Sequence, residues 1–245
     1  MKKIPDKSID MILCDLPYGQ TKRNKWDTII PFEPLWKQYK RIIKEDGCIA
    51  LFSNGMFTAE LMLSNKSMWK YNLIWEKTQP TGFLNAKKMP LRSHEDICIF
   101  YNKSPTYNPQ KSTGNKRKVS KEKHRVGCKN TTNYCEYGLA TYDSTERYPK
   151  SVWKFAKDTQ KSSLHPTQKP TSLLEELIKT YTNKSDVVLD NCMGSGSTGL
   201  ACIKTGRSFI GIELDKNYFN IAKQRIEYAV NDNSNGGEDL WQHIK

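Results

Sequence analysis

The fold is decided by Asp186-Val-Val-Leu-Asp190-Asn-Cys-Met-Gly194-Ser-Gly196-Ser-Thr-Gly199, which Ser208-Phe-Ile-Gly-Ile-Glu213 follows after a short helical pattern. The apolar runs at the two ends predict buried strands, and residues 197–204 between them predict a helix. Strand, glycines, helix, strand and acid in this order are typical of a nucleotide-binding unit in an open α/β sheet. A tight turn would explain the glycines but leave Glu213 without a role.

Two cofactor classes fit this stretch. Gly194-Ser-Gly196-Ser-Thr-Gly199 matches the dinucleotide pattern GxGxxG, yet only 32 residues follow Glu213, too few for a second mononucleotide-binding half. Asp190 stands before the glycines, where a carboxylate would meet a positive group rather than a pyrophosphate. S-adenosylmethionine carries an ammonium and a sulfonium for carboxylates and a ribose diol for Glu213. It is therefore the favoured cofactor.

The first hundred residues alternate strand and helix patterns. Strands are predicted at 9–15, 47–53, 71–75 and 96–101 and helices at 32–44 and 57–64, the first helix ending at Asp46-Gly47. A further helix at 170–179 precedes the glycine stretch, and a last one at 217–230 follows it. Because the strands are continuous apolar runs, the expected fold is α/β with a mostly parallel sheet covered on both faces.

A second group of functional residues follows the first predicted strand. Asp15-Leu16-Pro17-Tyr18 places an acid, a proline carbonyl and an aromatic ring where the strand ends. Ligands of open α/β sheets bind at the carboxyl ends of the strands. These three groups suit the binding of a flat ring whose amino hydrogens need acceptors.

The charge of the chain predicts a polyanionic partner. The formal net charge is +13, and residues 102–161 hold 14 Lys or Arg against 5 Asp or Glu. A solvated loop would also account for this excess, but the same segment carries aromatic side chains suited to splayed bases, namely Tyr107, Tyr134, Tyr137, Tyr142, Tyr148, Trp153 and Phe155. The composition favours an irregular insertion that binds nucleic acid.

Several other classes are disfavoured. No stretch approaches 18 apolar residues, so no membrane span is expected, and an intracellular protein is the default. The seven cysteines form no CxxC pair, which predicts reduced thiols rather than disulfides. His124, Cys128 and Cys135 match no common zinc spacing, and therefore no metal site is predicted.

Taken together, these motifs resemble the DNA methyltransferases that modify adenine N6 or cytosine N4, in the order with the catalytic motif before the cofactor loop. Asp15-Leu-Pro-Tyr18 is similar to the family's D-P-P-Y, Asp190–Gly199 to its D-P-F-x-G-S-G loop and Gly211-Ile-Glu213 to its ribose-binding acid. His165-Pro-Thr-Gln-Lys169-Pro matches the family's H-P-T-Q-K-P segment. Trp26-Asp27 and Arg92-Ser-His94-Glu95 also recur in such proteins.

The resemblance implies a circularly permuted Rossmann-like methyltransferase fold with S-adenosylmethionine as cofactor. Its implied divisions are a catalytic half at 1–101, a target-recognition insertion at 102–161, a cofactor-binding half at 162–232 and a mobile tail at 233–245. The implied site residues are catalytic Asp15, Pro17 and Tyr18 and cofactor-binding Asp190, Gly194, Gly196, Glu213, His165 and Lys169. Expected partners are double-stranded DNA and, in some relatives, a second copy or a cognate restriction endonuclease, in the cytoplasm of a bacterial or phage-infected cell.

The chain departs from the family pattern at three places. Leu16 replaces the first proline of the catalytic motif, and Asn191-Cys-Met193 replaces the usual Pro-Phe stretch. Similar proteins also begin with a strand and a Gly-Asp pair whose acid helps to hold the cofactor's adenine. The chain starts at Met1, just after that point, and the sequence therefore predicts a sheet short of one strand. Two interpretations are open: the start is internal to a longer reading frame, or cofactor binding is weakened.

Adenine N6 is the favoured target, because serine is commoner than aspartate at position 15 among cytosine-N4 enzymes. Cytosine C5 methylation would need an attacking cysteine, commonly after proline, and the chain has no Pro-Cys pair. RNA and protein-glutamine methyltransferases usually carry asparagine at the motif and place the glycine loop first. The alternatives kept are cytosine-N4 methylation and a DNA-binding protein with a decayed methyltransferase fold.

Overall fold

The computed structural model describes residues 1–19, 28–120, 142–158 and 168–234, and of residues 232–234 the backbone alone. The amino-terminal part contains β1 (Ile9–Asp15), α1 (Phe32–Ile42), β2 (Ile43–Ser53), α2 (Met56–Ser64), β3 (Trp69–Thr81), a 3-10 turn (Phe83–Asn85) and β4 (Arg92–Phe100). Further along follow β5 (Lys118–Ser120), β6 (Tyr142–Ser144), β7 (Val152–Phe155), α3 (Thr171–Tyr181), β8 (Val187–Asp190), α4 (Ser197–Thr205), β9 (Ser208–Gly211) and α5 (Lys216–Ser234). None of these helices is long and apolar enough to cross a membrane.

Seven strands form one sheet in the order β7-β3-β4-β2-β1-β8-β9. The pairs β1–β2, β1–β8, β8–β9 and β3–β7 are parallel, whereas β4 runs antiparallel to β2 and β3. The α/β fold with a mostly parallel sheet is thus confirmed. The one antiparallel strand among those described in this sheet is β4, because the short turn after β3 returns the chain beside β3 and leaves no room for a crossover helix.

Both faces of the sheet are buried, as the apolar strand runs predicted. In β1, Ile12 and Cys14 pack with α1 and α2, while Met11 and Leu13 pack with α3 and α4 on the other face. β2 alternates in the same way, since successive side chains of a strand point to opposite faces. The five described cysteines are free thiols.

The boundary between α1 and β2 differs from the predicted one. The helix ends at Ile42, and Gly47, expected to terminate it, lies inside β2. A Cβ at Gly47 would lie 2.7 Å from Ile43 Cγ1 and 2.9 Å from the Asp10 carbonyl oxygen. The glycine therefore permits a close approach of β2 to β1 beside the register shift between Ile9 and Met11.

Contacts between described residues divide the chain into two compact units, Met1–Asn108 with Ser151–Lys245, and Pro109–Lys150. In the second unit β5 pairs antiparallel with β6, and the Arg117 guanidinium donates to both oxygens of Asp143, Nε to Oδ1 at 2.7 Å and Nη2 to Oδ2 at 2.5 Å. Lys111 Nζ lies 2.9 Å from Glu146 Oε2.

The second unit is narrower than the predicted 102–161 insertion, because β7 belongs to the main sheet. Trp153, assigned from the sequence to the nucleic-acid surface, is buried in the core, and Phe155 packs against the same core. Trp75 Nε1 donates to the Phe155 carbonyl at 3.0 Å and fixes the strand end. Tyr107 and Tyr148 are exposed, while Tyr134 and Tyr137 lie outside the described residues.

Candidate active site

A cleft of about 1380 Å³ opens at the edge of the main sheet where the parallel strands end. The chain continues from β1 to β2 on one side and from β8 to β9 on the other, so the boundary between β1 and β8 is the switch point at which open α/β sheets bind ligands. Since β4 is antiparallel, its first residues reach the same edge. The cleft is lined, among others, by Asp15, Pro17, Tyr18, Lys77, Glu95, Lys169, Asp190, Gly194, Ser197 and Glu213.

The motif after β1 holds its acid and its aromatic ring together. The Tyr18 hydroxyl donates a hydrogen bond to Asp15 Oδ1. The Tyr18 ring packs against Phe57 of α2 with a centroid distance of 5.0 Å and a tilt of 36°. Burial, and next the Asp15 charge, raise the pKa of Tyr18 well above its ordinary value, so the hydroxyl stays protonated and remains a donor.

Lys169 contacts the motif that follows β1. Its Nζ lies 2.6 Å from Asp15 Oδ2 and 3.2 Å from Glu95 Oε2. Lys77 Nζ lies 2.5 Å from Glu95 Oε1, which gives a buried row of alternating charges from Asp15 through Lys169 and Glu95 to Lys77. Burial opposes the charge of Lys169, but the Asp15 and Glu95 carboxylates outweigh it and raise the pKa of Lys169. Burial likewise opposes the charge of Glu95, and Lys169 with Lys77 nevertheless lowers its pKa.

Sequence reasoning did not anticipate two members of this row. Glu95 ends the Arg92-Ser-His94-Glu95 stretch, a recurring feature to which no role was assigned. Lys77 lies in the long β3 and has no motif around it. The signal that could have found the pair is a lysine and a glutamate just beyond the apolar runs 71–75 and 96–101, since charges at the ends of buried strands need partners.

Asp190 organises the glycine loop from the end of β8. Its Oδ1 accepts a hydrogen bond from the Cys192 N–H at 3.0 Å, and its Oδ2 accepts one from Thr198 Oγ1 at 2.7 Å. Burial raises the pKa of Asp190 to about 6, against these two hydrogen bonds, which lower it. The carboxylate thus spans the loop from its start to the first turn of α4.

Glu213 closes the loop from the neighbouring strand. Its Oε2 accepts from the Gly194 N–H at 2.8 Å, and its Oε1 accepts from the Asp215 N–H at 2.9 Å. Glu213 is half-buried and lines the cleft, and each of its oxygens keeps acceptor capacity for a hydroxyl pair.

Gly196 has a conformational and a packing reason to be glycine. Its φ is +82°, and a Cβ there would lie 2.9 Å from the Ala222 Cβ of α5. Gly194 also has a positive φ, of +50°. The two glycines let the chain turn sharply from β8 into α4 while α5 approaches closely.

Tyr39 is a further support that the sequence did not reveal. This residue of α1 is fully buried, and its hydroxyl donates to Asn191 Oδ1 at 2.5 Å. The bond ties the glycine loop to a helix 152 positions earlier in the chain. Asn191, one of the departures from the family pattern, thereby has a structural role.

His165 lies outside the described residues, as do Trp26, Asp27, His124, Cys128 and Cys135. Among the described residues, no group of three or more His, Cys, Asp or Glu side chains could hold a metal ion.

The polar groups around the glycine loop fit S-adenosylmethionine. The Ser197 hydroxyl oxygen, at the start of α4 and on the cleft wall, is buried without a hydrogen-bond partner among the described residues. Because buried polar atoms are normally hydrogen-bonded, a ligand in the cleft can supply the partner that this oxygen lacks. Ser197, Gly194 and Glu213 line the same cleft, which thus offers a hydroxyl, backbone access and a carboxylate to one ligand.

Comparisons with known proteins agree with this geometry. Residues 9–224 match the N6_N4_Mtase family, described as DNA methylase. The type II methyltransferase M.HinfI of Haemophilus influenzae is 28% identical over 278 residues, covering 100% of this chain and 70% of the relative. The DNA adenine methyltransferase YhdJ of Escherichia coli K12 is 26% identical, covering 94% and 80%. The crystal structure of the M1.HpyAVI–SAM complex superposes with a TM-score of 0.61 at 24% identity and covers 89% of each chain, so the fold is shared.

Proposed function

The chain belongs to the N6_N4_Mtase family of DNA methylases, and from that membership we propose that it methylates the exocyclic N6 amine of adenine in double-stranded DNA. The methyl donor is S-adenosylmethionine, the cofactor of this family. M.HinfI is named a type II methyltransferase and YhdJ a DNA adenine methyltransferase.

The observation that carries the proposal is that two motifs 175 positions apart end neighbouring strands. Asp15-Leu-Pro-Tyr18 follows β1 and the glycine loop follows β8, and β1 pairs parallel with β8 through Met11–Val188 and Ile12–Leu189. Both motifs line one cleft. An acceptor for amino hydrogens and a loop for the methyl donor thus face the same space.

The residues of this cleft support a direct transfer. An adenine amine is a poor nucleophile because its lone pair is delocalised into the ring. Hydrogen bonds from its two hydrogens to the Asp15 carboxylate and to the carbonyl of Leu16 or Pro17 would localise that pair on nitrogen. Tyr18 would stack on the flipped base, and positioning and electrostatics supply most of the rate enhancement.

S-adenosylmethionine supplies a methyl group on a positively charged sulfur when it is bound. Glu213 is proposed to bind its ribose hydroxyls, while Asp190, Gly194 and Gly196 shape the loop around it. The match to H-P-T-Q-K-P adds His165 and Lys169 to the proposed cofactor residues. The contact of Lys169 with Asp15 gives this lysine a second role, that of positioning the catalytic acid.

A labelled-methyl assay on unmethylated duplex DNA tests the function. Wild-type protein should transfer label, and Asp15→Ala should lower the rate by about 10²–10³-fold or more, since it removes the acceptor that activates the amine. Cofactor binding, measured by calorimetry, should persist in the variant. DNA binding without label would favour the decayed fold, and label on RNA alone would refute the proposal.

The target base is tested by sequencing modified bases in DNA from cells that express the chain. N6-methyladenine in a fixed sequence context is the expected result. N4-methylcytosine would establish the alternative, because the same acceptors suit the 4-amino group of cytosine.

We also propose the partners that the family resemblance implies. The chain would act in the cytoplasm on bacterial or phage DNA, and it would protect its sites from a cognate restriction endonuclease. Challenge of plasmid DNA, methylated by this protein, with endonucleases of the matching specificity tests the second point. Sedimentation at micromolar concentration tests whether it works as a homodimer.

A further inference from the structure

The turn between β3 and β4, residues 82–91, exposes large apolar side chains. Leu84 is 100% exposed, Phe83 73% and Met89 56%. Every residue from Gly82 to Pro90 is exposed. Leu, Phe and Met side chains are usually buried, so three exposed ones in a single turn need an explanation.

The backbone of the 82–91 turn is nevertheless ordered. The Asn85 N–H donates to the Gly82 carbonyl at 2.9 Å, the Ala86 N–H to Phe83 at 3.1 Å and the Lys88 N–H to Asn85 at 2.8 Å. Thr81 of β3 pairs with Arg92 of β4 at the base of the turn, beyond an irregularity in the pairing after Glu76. A hydrogen-bonded backbone therefore carries these exposed apolar side chains, and a contiguous exposed apolar group is typical of an interaction surface.

The charge and position of the turn identify the partner that it fits. Residues 81–92 include Lys87, Lys88 and Arg92 and no acidic residue. Thr81 and Arg92, at the base of the turn, line the active-site cleft. Cations suit phosphates, and apolar tips suit the interior of a base stack. A DNA duplex brought to the cleft is the partner with both features.

We propose that Phe83 and Leu84 form a wedge that enters the base stack beside the target nucleotide, while Lys87 and Lys88 bind the flanking phosphates. The inference rests on the proposed function, because the base must leave the duplex to reach Asp15. Extrusion of a base costs a few kcal/mol and leaves a gap. The two side chains fill that gap and stabilise the flipped state.

The experiment compares the wild type with the double variant Phe83→Ser/Leu84→Ser. Leu63→Ser is the matched control, since Leu63 is also an exposed leucine, 62% accessible, but lies at the far end of α2. Selection of bound duplexes from a random library first gives the recognition sequence without any need for methyl transfer. Fluorescence of 2-aminopurine placed at each adenine of that sequence then reports base extrusion.

The wedge predicts a strong fluorescence rise with wild type and control, and a rise at least about tenfold smaller with the double variant at saturating protein. Labelled methyl transfer to a fully paired duplex should fall about 10–100-fold in kcat/KM, the equivalent of a few kcal/mol. A duplex with an abasic site opposite the target should restore the double variant to within about threefold of wild type, because the target is then already unpaired.

Three results would contradict the proposed role of Phe83 and Leu84. These are an unchanged fluorescence rise in the double variant, an equal loss of activity on both duplexes, and conversion of a dimer into a monomer, which would make the turn a contact between two copies. Failure of the proposed function has a different signature. In that case the wild type extrudes the base but transfers no label.

Discussion

Asp15 lies at the centre of the site, and each oxygen of its carboxylate accepts a hydrogen bond from a side chain. Tyr18 donates to Oδ1 and Lys169 donates to Oδ2, while Glu95 and Lys77 extend the row of charges inward. Removal of one partner from a buried ion pair leaves an uncompensated charge and costs about 3–5 kcal/mol. The row therefore couples the stability of the protein to the catalytic role proposed for Asp15.

Lys169→Met should test that coupling. The variant should lose about 3–5 kcal/mol of unfolding free energy at pH 7, measured by urea denaturation, because Asp15 and Glu95 would lose their shared cation. Lys179→Met is the control. Its Nζ lies 3.6 Å from Glu175 on the surface of α3, and such a pair is worth at most about 1 kcal/mol.

The same variant has a defined pH dependence. In the wild type the folded-state pKa of Glu95 is lowered, so its stabilising contribution is present at neutral pH and is lost as the pH falls through that lowered value. The difference between wild type and Lys169→Met should consequently shrink below about pH 4.5, the ordinary range of a glutamate. A difference that is constant from pH 7 to pH 3 would contradict the buried ion pair.

Asp190 should show the opposite pH dependence. Its pKa is raised from 3.8 to about 6, so the folded protein binds the proton more tightly than the unfolded chain does. Relative to Asp190→Asn, the wild type should lose about 3 kcal/mol of unfolding free energy as the pH rises from about 4 to about 6, and the difference should stay level above that range. Urea denaturation at several pH values measures this difference in unfolding free energy. If the difference does not change between about pH 4 and about pH 6, burial does not raise the pKa of Asp190.

At the scale of secondary-structure elements, α4 begins and ends with a glycine of positive φ. Gly196 precedes the helix at φ +82°, and Gly206 follows it at φ +71°. The two positions differ in their surroundings. A Cβ at Gly196 would meet α5, whereas at Gly206 nothing lies within 4 Å.

This contrast gives a matched pair of variants. Gly206→Ala should cost about 1–2 kcal/mol of stability through backbone strain alone and leave cofactor affinity unchanged. Gly196→Ala should cost more, because the clash with Ala222 displaces the turn that carries the cofactor loop, and S-adenosylmethionine affinity should fall about tenfold or more, an effect that needs only about 1.4 kcal/mol. Calorimetric titration distinguishes the two, and equal affinities would mean that the loop tolerates the displacement.

At the scale of the whole molecule, the positive charge is concentrated in one part of the sequence. The compact unit Pro109–Lys150 contains ten Lys or Arg and four Asp or Glu, within a chain of net charge +13. Two of its acids pair with Arg117 and Lys111. Such a unit is suited to phosphate contacts, and its function as the target-recognition region stays a prediction.

DNA binding should accordingly be sensitive to salt. The logarithm of the affinity should fall linearly with the logarithm of salt concentration, and Lys118→Ala, in the exposed β5, should reduce the slope by about 0.9 if its ammonium contacts a phosphate. Lys184→Ala, at the amino end of β8 and away from the cleft, should leave the slope unchanged. Fluorescence anisotropy with a labelled duplex measures both, and equal slopes for the two variants would refute a specific contribution of the unit.

The sequence by itself determined the α/β class, the order of the helices and strands outside residues 102–161, and the two motifs of the cleft. These features depend on local patterns, namely apolar runs for buried strands, helical spacing between them, and an acid or glycines directly after a strand. Asp15, Tyr18, Asp190, Gly194, Gly196 and Glu213 could be selected on that basis, and all of them line the cleft or its loop.

Only the tertiary structure decided which distant residues meet. The row from Asp15 through Lys169 and Glu95 to Lys77 joins segments up to 154 positions apart, and Tyr39 reaches Asn191 across 152. The antiparallel β4 and the place of β7 in the sheet likewise depend on strand pairing. A sequence pattern indicates which face of a helix or strand is apolar. Which strands pair, and which charged side chains meet, depends on the free energy of burying those faces together, because a buried charge is stable only beside a partner.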